Sequence, residues 1–193
     1  MALLDIKNRQ KYLKTLGFYE GAIDGTEGPK TKAAYLALQK HYFTRPKDKD
    51  GLYGQNTDIL LRNAYNVKTK TKNFSLYEFK CKCGGTYCTG QPAVLDTDLL
   101  ANLQKIRDIY GQPITIASGL RCPTWNKSRG GASGSRHKSG KAADIYMSGI
   151  TTTEAGRKKV MAQWKKLPQQ RYTYCNIGGS HPNMGNSVHV DVL

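Results

Sequence analysis

SRHKSGKAAD, residues 135–144, joins a polar loop to a predicted strand over 142–147. Imidazole nitrogen and carboxylate oxygen both bind zinc well, so His137 and Asp144 are candidate ligands. Their H-x₆-D spacing allows a turn at Gly140 to bring His137 back beside Asp144, where the strand begins. A surface ion pair or a hydrogen-bonded buried pair is the alternative interpretation of these two residues.

A third ligand is available near the C-terminus. Val188, Val190 and Val192 alternate with His189 and Asp191, which is the period of two that is typical of a strand. If this final strand pairs beside the strand that holds Asp144, His189 can complete the set. Three protein ligands leave one position open for water, which is the arrangement of a catalytic rather than a structural zinc site.

The rest of this half predicts an α+β domain with a small antiparallel sheet. Apolar residues at helical spacing predict a helix over 98–110, and residues 113–117 form a short β-rich segment. Thr151-x-x-Glu154 has the form of a capping box and predicts a helix that extends to about Leu167.

The first half contains a repeat. Residues 24–31 and 50–57 both read D-G-x-x-G-x-x-T, a glycine turn that leads into a helix. With an earlier helix that ends near Gly17, this predicts a small three-helix domain over 1–66. Residues 67–73 are polar and basic and predict a linker, so that the second domain covers 74–193.

The N-terminal pattern resembles the three-helix peptidoglycan-binding domain of bacterial wall hydrolases. The matching positions are Gln10, Leu13, Leu16-Gly17-Phe18-Tyr19, Gly21, Ile23-Asp24-Gly25, Gly28, Thr31, Ala34, Leu38-Gln39, Asp50-Gly51, Gly54, Thr57 and Leu60. The resemblance implies that this domain binds wall glycan and peptide.

The C-terminal pattern resembles the M15 metallopeptidases, which include D-Ala-D-Ala carboxypeptidases and endolysin peptidases. The matching positions are Ser118-Gly119-Leu120-Arg121, Asn126, Gly130-Gly131, Ser135-Arg136-His137, Gly140, Ala142, Asp144 and His189-Val190-Asp191. The resemblance implies that His137, Asp144 and His189 hold a catalytic zinc ion. It also implies hydrolysis of a peptide bond by zinc-activated water, with a general base to move the proton.

The resemblance assigns further roles less completely. Arg121 lies at the position where family members use an arginine to hold a substrate carboxylate or carbonyl, and a structural ion pair is the alternative role. Ser135 is expected to form a hydrogen bond with the substrate or with a metal ligand. Many members place Glu or Asp three residues before the last histidine, where this chain has Asn186. His181 and Asp191 remain as candidates; we favour His181 as acid/base, with Asp191 orienting His189.

Five cysteines are present, an odd number that argues against a disulfide framework. Cys81, Cys83 and Cys88 lie close together in the sequence, and Cys122 follows Arg121. Three of these with another ligand could form a second, structural zinc site. Because the spacing lacks a C-x₂-C pair, we favour small buried thiols that pack a loop.

The net charge and the absence of certain motifs limit the classes of partner that the chain is expected to bind. The net charge of +16 favours a polyanionic partner, which is a nucleic acid, an anionic membrane or an acidic cell wall. The sequence contains no nucleic-acid-binding motif, no apolar run long enough for a membrane helix and no recognisable signal peptide. We therefore expect a monomer that is made in the cytoplasm and acts on peptidoglycan, as an autolysin or as an endolysin released during phage lysis. A wall-binding protein without catalytic activity is the alternative.

Overall fold

The computed structural model, which describes residues 1–193, contains six α-helices and four β-strands. The helices are α1 (Ile6–Thr15), α2 (Pro29–Tyr42), α3 (Gln55–Lys70), α4 (Thr97–Tyr110), α5 (Pro123–Ser128) and α6 (Glu154–Trp164). The strands are β1 (Thr115–Ser118), β2 (Ala142–Tyr146), β3 (Gln170–Cys175) and β4 (Val188–Val192). Three helices precede a domain that mixes helices with one small sheet, so the expected α+β class is confirmed.

Equivalent buried glutamines hold the two repeated turns. The Gln10 side-chain amide donates to Asp24 at 2.8 Å, and its carbonyl accepts from the backbone N–H of the next glycine at 2.9 Å. Gln39 makes the same pair of bonds at the second turn, to Asp50 at 3.0 Å and from the following glycine at 2.8 Å. Both glycines have positive φ, 81° and 74°, which explains why each turn needs glycine there.

The segment 67–73 differs from the predicted linker. Helix α3 continues to Lys70, and Val67 is buried in the core. Asn63 on the same helix donates to the side chain of Gln91 at 2.8 Å and accepts from the backbone N–H of Leu95 at 2.7 Å. One core of 31 buried residues runs through both parts of the chain. The polar residues 68–70 lie on the exposed side of α3, which packs against α4. Only residues 71–73 of the predicted linker lie outside this helix.

The sheet has two unlike faces. Its strands are all antiparallel in the order β1-β2-β4-β3, and helices α4 and α6 pack against it. Alternate residues of β4, namely Val188, Val190 and Val192, belong to the core. His189 and Asp191 therefore project from the opposite face, as their alternation predicts.

Helix α6 begins later than the sequence indicates. Its N-cap is Thr153, whose side chain accepts from the backbone N–H of Gly156 at 3.1 Å. The expected N-cap, Thr151, instead uses its hydroxyl to accept from the backbone N–H of Met147 at 3.0 Å. The capping box over 151–154 is therefore wrong, because Thr151 closes the turn after β2.

Candidate metal centre

Three buried donors meet on the open face of the sheet. Asp144 on β2 pairs in register with His189 on β4, and the His189 Nδ1 atom lies 2.8 Å from Asp144 Oδ1. His137 Nε2 lies 3.3 Å from the same oxygen. One donor atom from each residue falls within 4.8 Å of the others, and the residues are only 3%, 5% and 6% exposed. The structure thus brings together the three residues that the sequence proposes as ligands.

The orientation of His137 suits a metal ligand. Its Nδ1 atom lies 2.7 Å from the carbonyl oxygen of Gly119, which can only accept, so Nδ1 carries the proton. In the neutral ring, the form that binds metal, the lone pair is then on Nε2, the nitrogen that faces Asp144. A side chain at Gly119 would meet the backbone of Phe79 at 2.7 Å, and this close approach explains the glycine of the Ser118-Gly119 pair. The short turn over 136–139 ends at Gly140, whose φ of 74° lets the chain return to β2.

Asp191 supports His189 from behind. Its Oδ2 atom lies 3.6 Å from His189 Nε2, so the other ring nitrogen is left facing Asp144. Asp191 also accepts from the backbone N–H of Tyr172 at 2.7 Å and from Arg171 at 3.2 Å. Burial acts to raise the pKa of Asp191, but the hydrogen bonds from His189 and from the Tyr172 backbone lower it below the usual value. A carboxylate engaged on three sides is suited to orienting the histidine ring.

Asp144 is the electrostatic centre of the group. Burial acts to raise its pKa, but the contacts with His137 and His189 outweigh burial and hold that pKa well below its usual value. Arg121 donates to the second carboxylate oxygen at 2.6 Å and to the Ser118 hydroxyl at 2.8 Å. Arg121 therefore makes the ion pair that the sequence left as an alternative, while its Nη1 atom has no partner within the protein.

His137, Asp144 and His189 line a cationic cleft of about 1080 Å³. Arg121 and Ser135, the two predicted substrate contacts, both line it. The basic residues along its walls are Lys82, Arg121, Arg129, Arg136 and Arg171. Asp144 and Asp191 are the acidic residues of the lining, and both are already paired. This charge balance suits a ligand that carries carboxylates.

Tyr174 is a cleft residue that sequence reasoning missed. It faces His189 across the β3–β4 pair, with the two rings 4.6 Å apart and nearly parallel, and its ring lies 4.8 Å from that of His181. Burial, with Asp144 nearby, raises the pKa of Tyr174. The alternation of Tyr172 and Tyr174 with Thr173 is the signal that could have identified this strand.

The two candidates for the general base, His181 and Asp191, differ in how many neighbours their side chains are bonded to. His181 is exposed in the loop before the short helical turn over 182–184, and it lines the cleft. Asn186, at the position where the M15 resemblance predicts an acid, is instead bonded to Arg157 at 3.2 Å and lies outside the cleft lining. The cleft thus offers His181 as a free acid/base group, whereas Asp191 is bound by its neighbours.

Comparison with known proteins finds a family match for each half of the chain. Residues 72–191 match the model of the family Peptidase M15, and residues 4–57 match that of a peptidoglycan binding domain. A zinc D-Ala-D-Ala carboxypeptidase of Streptomyces albus G is 34% identical over 130 residues, which cover 64% of this chain and 49% of the relative. The chain therefore spans about half the length of this curated relative. Because the first model matches more than half of its residues, the chain belongs to the M15 peptidase family.

Proposed function

We propose that the chain is a peptidoglycan hydrolase that uses one zinc ion, held by His137, Asp144 and His189, to cleave a peptide bond in the wall stem peptide or cross-link. The observation that carries this proposal is the meeting of the three buried donors at the floor of an open cleft. Two histidines and a carboxylate form a set that catalytic zinc sites use. The peptidoglycan-binding domain in the same chain and the zinc enzyme among its relatives support the choice of substrate and metal.

The chain's own residues divide the remaining work. When bound, zinc supplies a Lewis acid and lowers the pKa of water at this site. His181 takes the proton of the attacking water and returns it to the leaving amine, while Asp191 holds the ring of His189. The unpartnered nitrogen of Arg121 and the hydroxyl of Ser135 bind the substrate carbonyl or carboxylate.

The basic surface and the N-terminal domain bring the enzyme to its substrate. A net charge of +16 attracts the chain to the anionic polymers of a bacterial wall. None of the helices is long and apolar enough to span a membrane. We propose that the chain works as a monomer, as a phage endolysin or a bacterial autolysin.

The test is the loss of turbidity of a purified wall suspension. Lysis should stop after removal of zinc with a chelator and return when zinc is restored. His137→Ala should remain inactive under both conditions, and His41→Ala, an exposed histidine of α2, should behave as wild type. Lysis by the chelated wild type, with zinc shown to be absent, would refute the zinc mechanism.

The bond that is cut requires a separate measurement. The activity named for the Streptomyces relative supports a D-Ala–D-Ala linkage. L-Ala–D-Glu bonds and interpeptide cross-bridges are the other candidates. Mass spectrometry of digested peptidoglycan distinguishes them, because each cleavage leaves a different free amine and carboxylate.

A second candidate function is wall binding without catalysis. The observation that favours it is Asn186, which replaces the usual acid and points to Arg157. A protein of this kind would sediment with purified walls but would release no new amino groups from them. The same digestion assay therefore separates the two functions.

A further inference from the structure

We infer that Cys81, Cys83, Cys88 and Cys122 form a second, structural zinc site that fixes the loop beside Arg121. The sequence favours thiols that only pack a loop, but the structure gathers all four sulfurs within 4.8 Å of one another. All of them are free cysteines, and the Sγ atoms of Cys83 and Cys88 lie 3.5 Å apart. This site is independent of the His–Asp–His centre and does not rest on its proposed function.

The sulfur atoms are close enough together to bind a single tetrahedral metal ion. Zinc–sulfur bonds of about 2.3 Å at tetrahedral angles place neighbouring sulfurs roughly 3.8 Å apart. The 3.5 Å between Cys83 Sγ and Cys88 Sγ lies near this value, and the other sulfurs lie within 4.8 Å, whereas a disulfide requires about 2.05 Å. Four thiolates also leave no position for water, which is the composition of a structural rather than a catalytic site.

Backbone groups are placed to support thiolates. The N–H of Gly90 donates to Cys88 Sγ at 3.4 Å, and the N–H of Cys122 donates to Cys81 Sγ at 3.3 Å. Such bonds to sulfur are the outer contacts that orient metal ligands and stabilise their charge. Most of the cluster is shielded from solvent, because Cys81, Cys83 and Cys122 are buried, and the partly buried Cys88 and Trp125 pack against them.

The surrounding loop needs a cross-link. Residues 80–92 contain no helix and no strand, and the backbone bond from Cys81 to Gly90 at 2.8 Å is one of few inside the loop. Gly84, Gly85 and Gly90 all have positive φ, so the chain turns sharply here. Because the loop has so few internal hydrogen bonds, unfolding it would cost little free energy unless a metal ion linked its cysteines.

The position of the site connects the loop with the cleft. Cys122 directly follows Arg121, and the N–H of Leu120 donates to the carbonyl of Phe79 at 2.9 Å. Lys82, between two of the cysteines, lines the cleft. A metal on these sulfurs would therefore hold Arg121 and Lys82 in place for substrate.

Zinc content of the full chain, purified under reducing conditions without chelator, tests the inference. We expect about two zinc ions per wild-type chain, about one in His137→Ala/His189→Ala, and about one in Cys83→Ser/Cys88→Ser. Cys175→Ser is the matched control, because Cys175 is equally buried on β3 but lies outside the cluster, and it should keep two. The double histidine variant separates this site from the catalytic one: it should lose lysis and still hold one ion.

A second measurement does not depend on the folding of cysteine variants. Cobalt(II) loaded into His137→Ala/His189→Ala should show intense sulfur-to-metal charge-transfer absorption, and four of the five thiols should react with a thiol reagent only after chelation. Cobalt without charge-transfer bands, or four thiols that react freely in the untreated protein, would overturn the inference. Disulfides found among these cysteines in the freshly purified, unreduced chain would also overturn it.

Discussion

His189 and Asp144 face each other across the β2–β4 pair, with His189 Nδ1 only 2.8 Å from Asp144 Oδ1. Both residues lie on the face of the sheet that the core does not use. The strand pairing therefore fixes two ligands to a rigid element, and only His137 depends on a loop. This arrangement gives the site much of its geometry before any metal binds.

Replacement of His181 by alanine should lower kcat on purified peptidoglycan by about 10²–10⁴-fold, because the cleft would lose its free acid/base group. The zinc content should not change, since His181 is outside the ligand set. Turnover, metal content and the pH profile should be measured together. Activity within twofold of wild type would remove His181 from the mechanism and direct attention to Tyr174.

Zinc binding at the catalytic site should weaken as the solution becomes more acidic. Burial acts to lower the pKa of His189, but the hydrogen bonds and charges of Asp144 and Asp191 raise it above its ordinary value. Below that raised pKa the ring must lose a proton to bind metal, so affinity should fall by about tenfold for each pH unit. Above it, this proton no longer competes.

Asp191→Asn tests the cause of that pH dependence. The amide oxygen can still accept from the Tyr172 backbone, but the charge near His189 Nε2 is removed. The pKa of His189 should then fall, and the midpoint of zinc release should move to lower pH than in wild type. Competition titration with a metal indicator measures it, and an unchanged midpoint would show that Asp191 does not act on His189.

Gly140→Ala should destabilise the peptidase part by more than about 2 kcal/mol. A Cβ at this position would lie 2.0 Å from the carbonyl oxygen of Val94, and the φ of 74° is unfavourable for alanine. Gly134→Ala in the same loop is the control, because nothing lies within 4 Å of its Cβ. Thermal unfolding should separate the two variants, and equal stabilities would mean that the loop adapts.

Gln39→Ala should cost about 1–3 kcal/mol of unfolding free energy, because it removes a buried amide that bonds the turn and leaves the buried Thr57 hydroxyl without this partner. The lost contacts include Asp50, the Leu52 carbonyl and the Thr57 hydroxyl. Gln55→Ala, at an exposed position at the start of α3, should have little effect. Chemical denaturation measures both, and a neutral Gln39→Ala would show that water replaces the amide.

The three candidate ligands could be identified from the sequence because they lie in simple local patterns and match positions of the M15 family. Alternation in 188–192 places His189 and Asp191 on one face, and a glycine turn accounts for His137 beside Asp144. The repeated glycine turns of the first half were equally visible. In each case, the chemistry depends on residues close in sequence or on one strand pairing.

The features that were missed depend on distant contacts. Strand β3 lies at the sheet edge and has few aliphatic residues, so only the short alternation of Tyr172 and Tyr174 with Thr173 marks it. Cys122 joins the other cysteines from a different part of the chain, which local spacing cannot reveal. The helical character of 67–70 comes from packing of α3 against α4, not from the composition of those residues.

The continuous helix α3 and the shared core also bear on how far the enzyme can reach. A flexible tether would let the peptidase domain move through a volume around its anchoring point, whereas attachment through a shared core would present the cleft at a fixed distance and angle from any glycan that the N-terminal domain binds. Each binding event would then expose only a few neighbouring peptides to cleavage. In chimeras made by exchanging the N-terminal domain, a junction at residue 66 would cut through a helix and uncover Val67 and the contacts of Asn63.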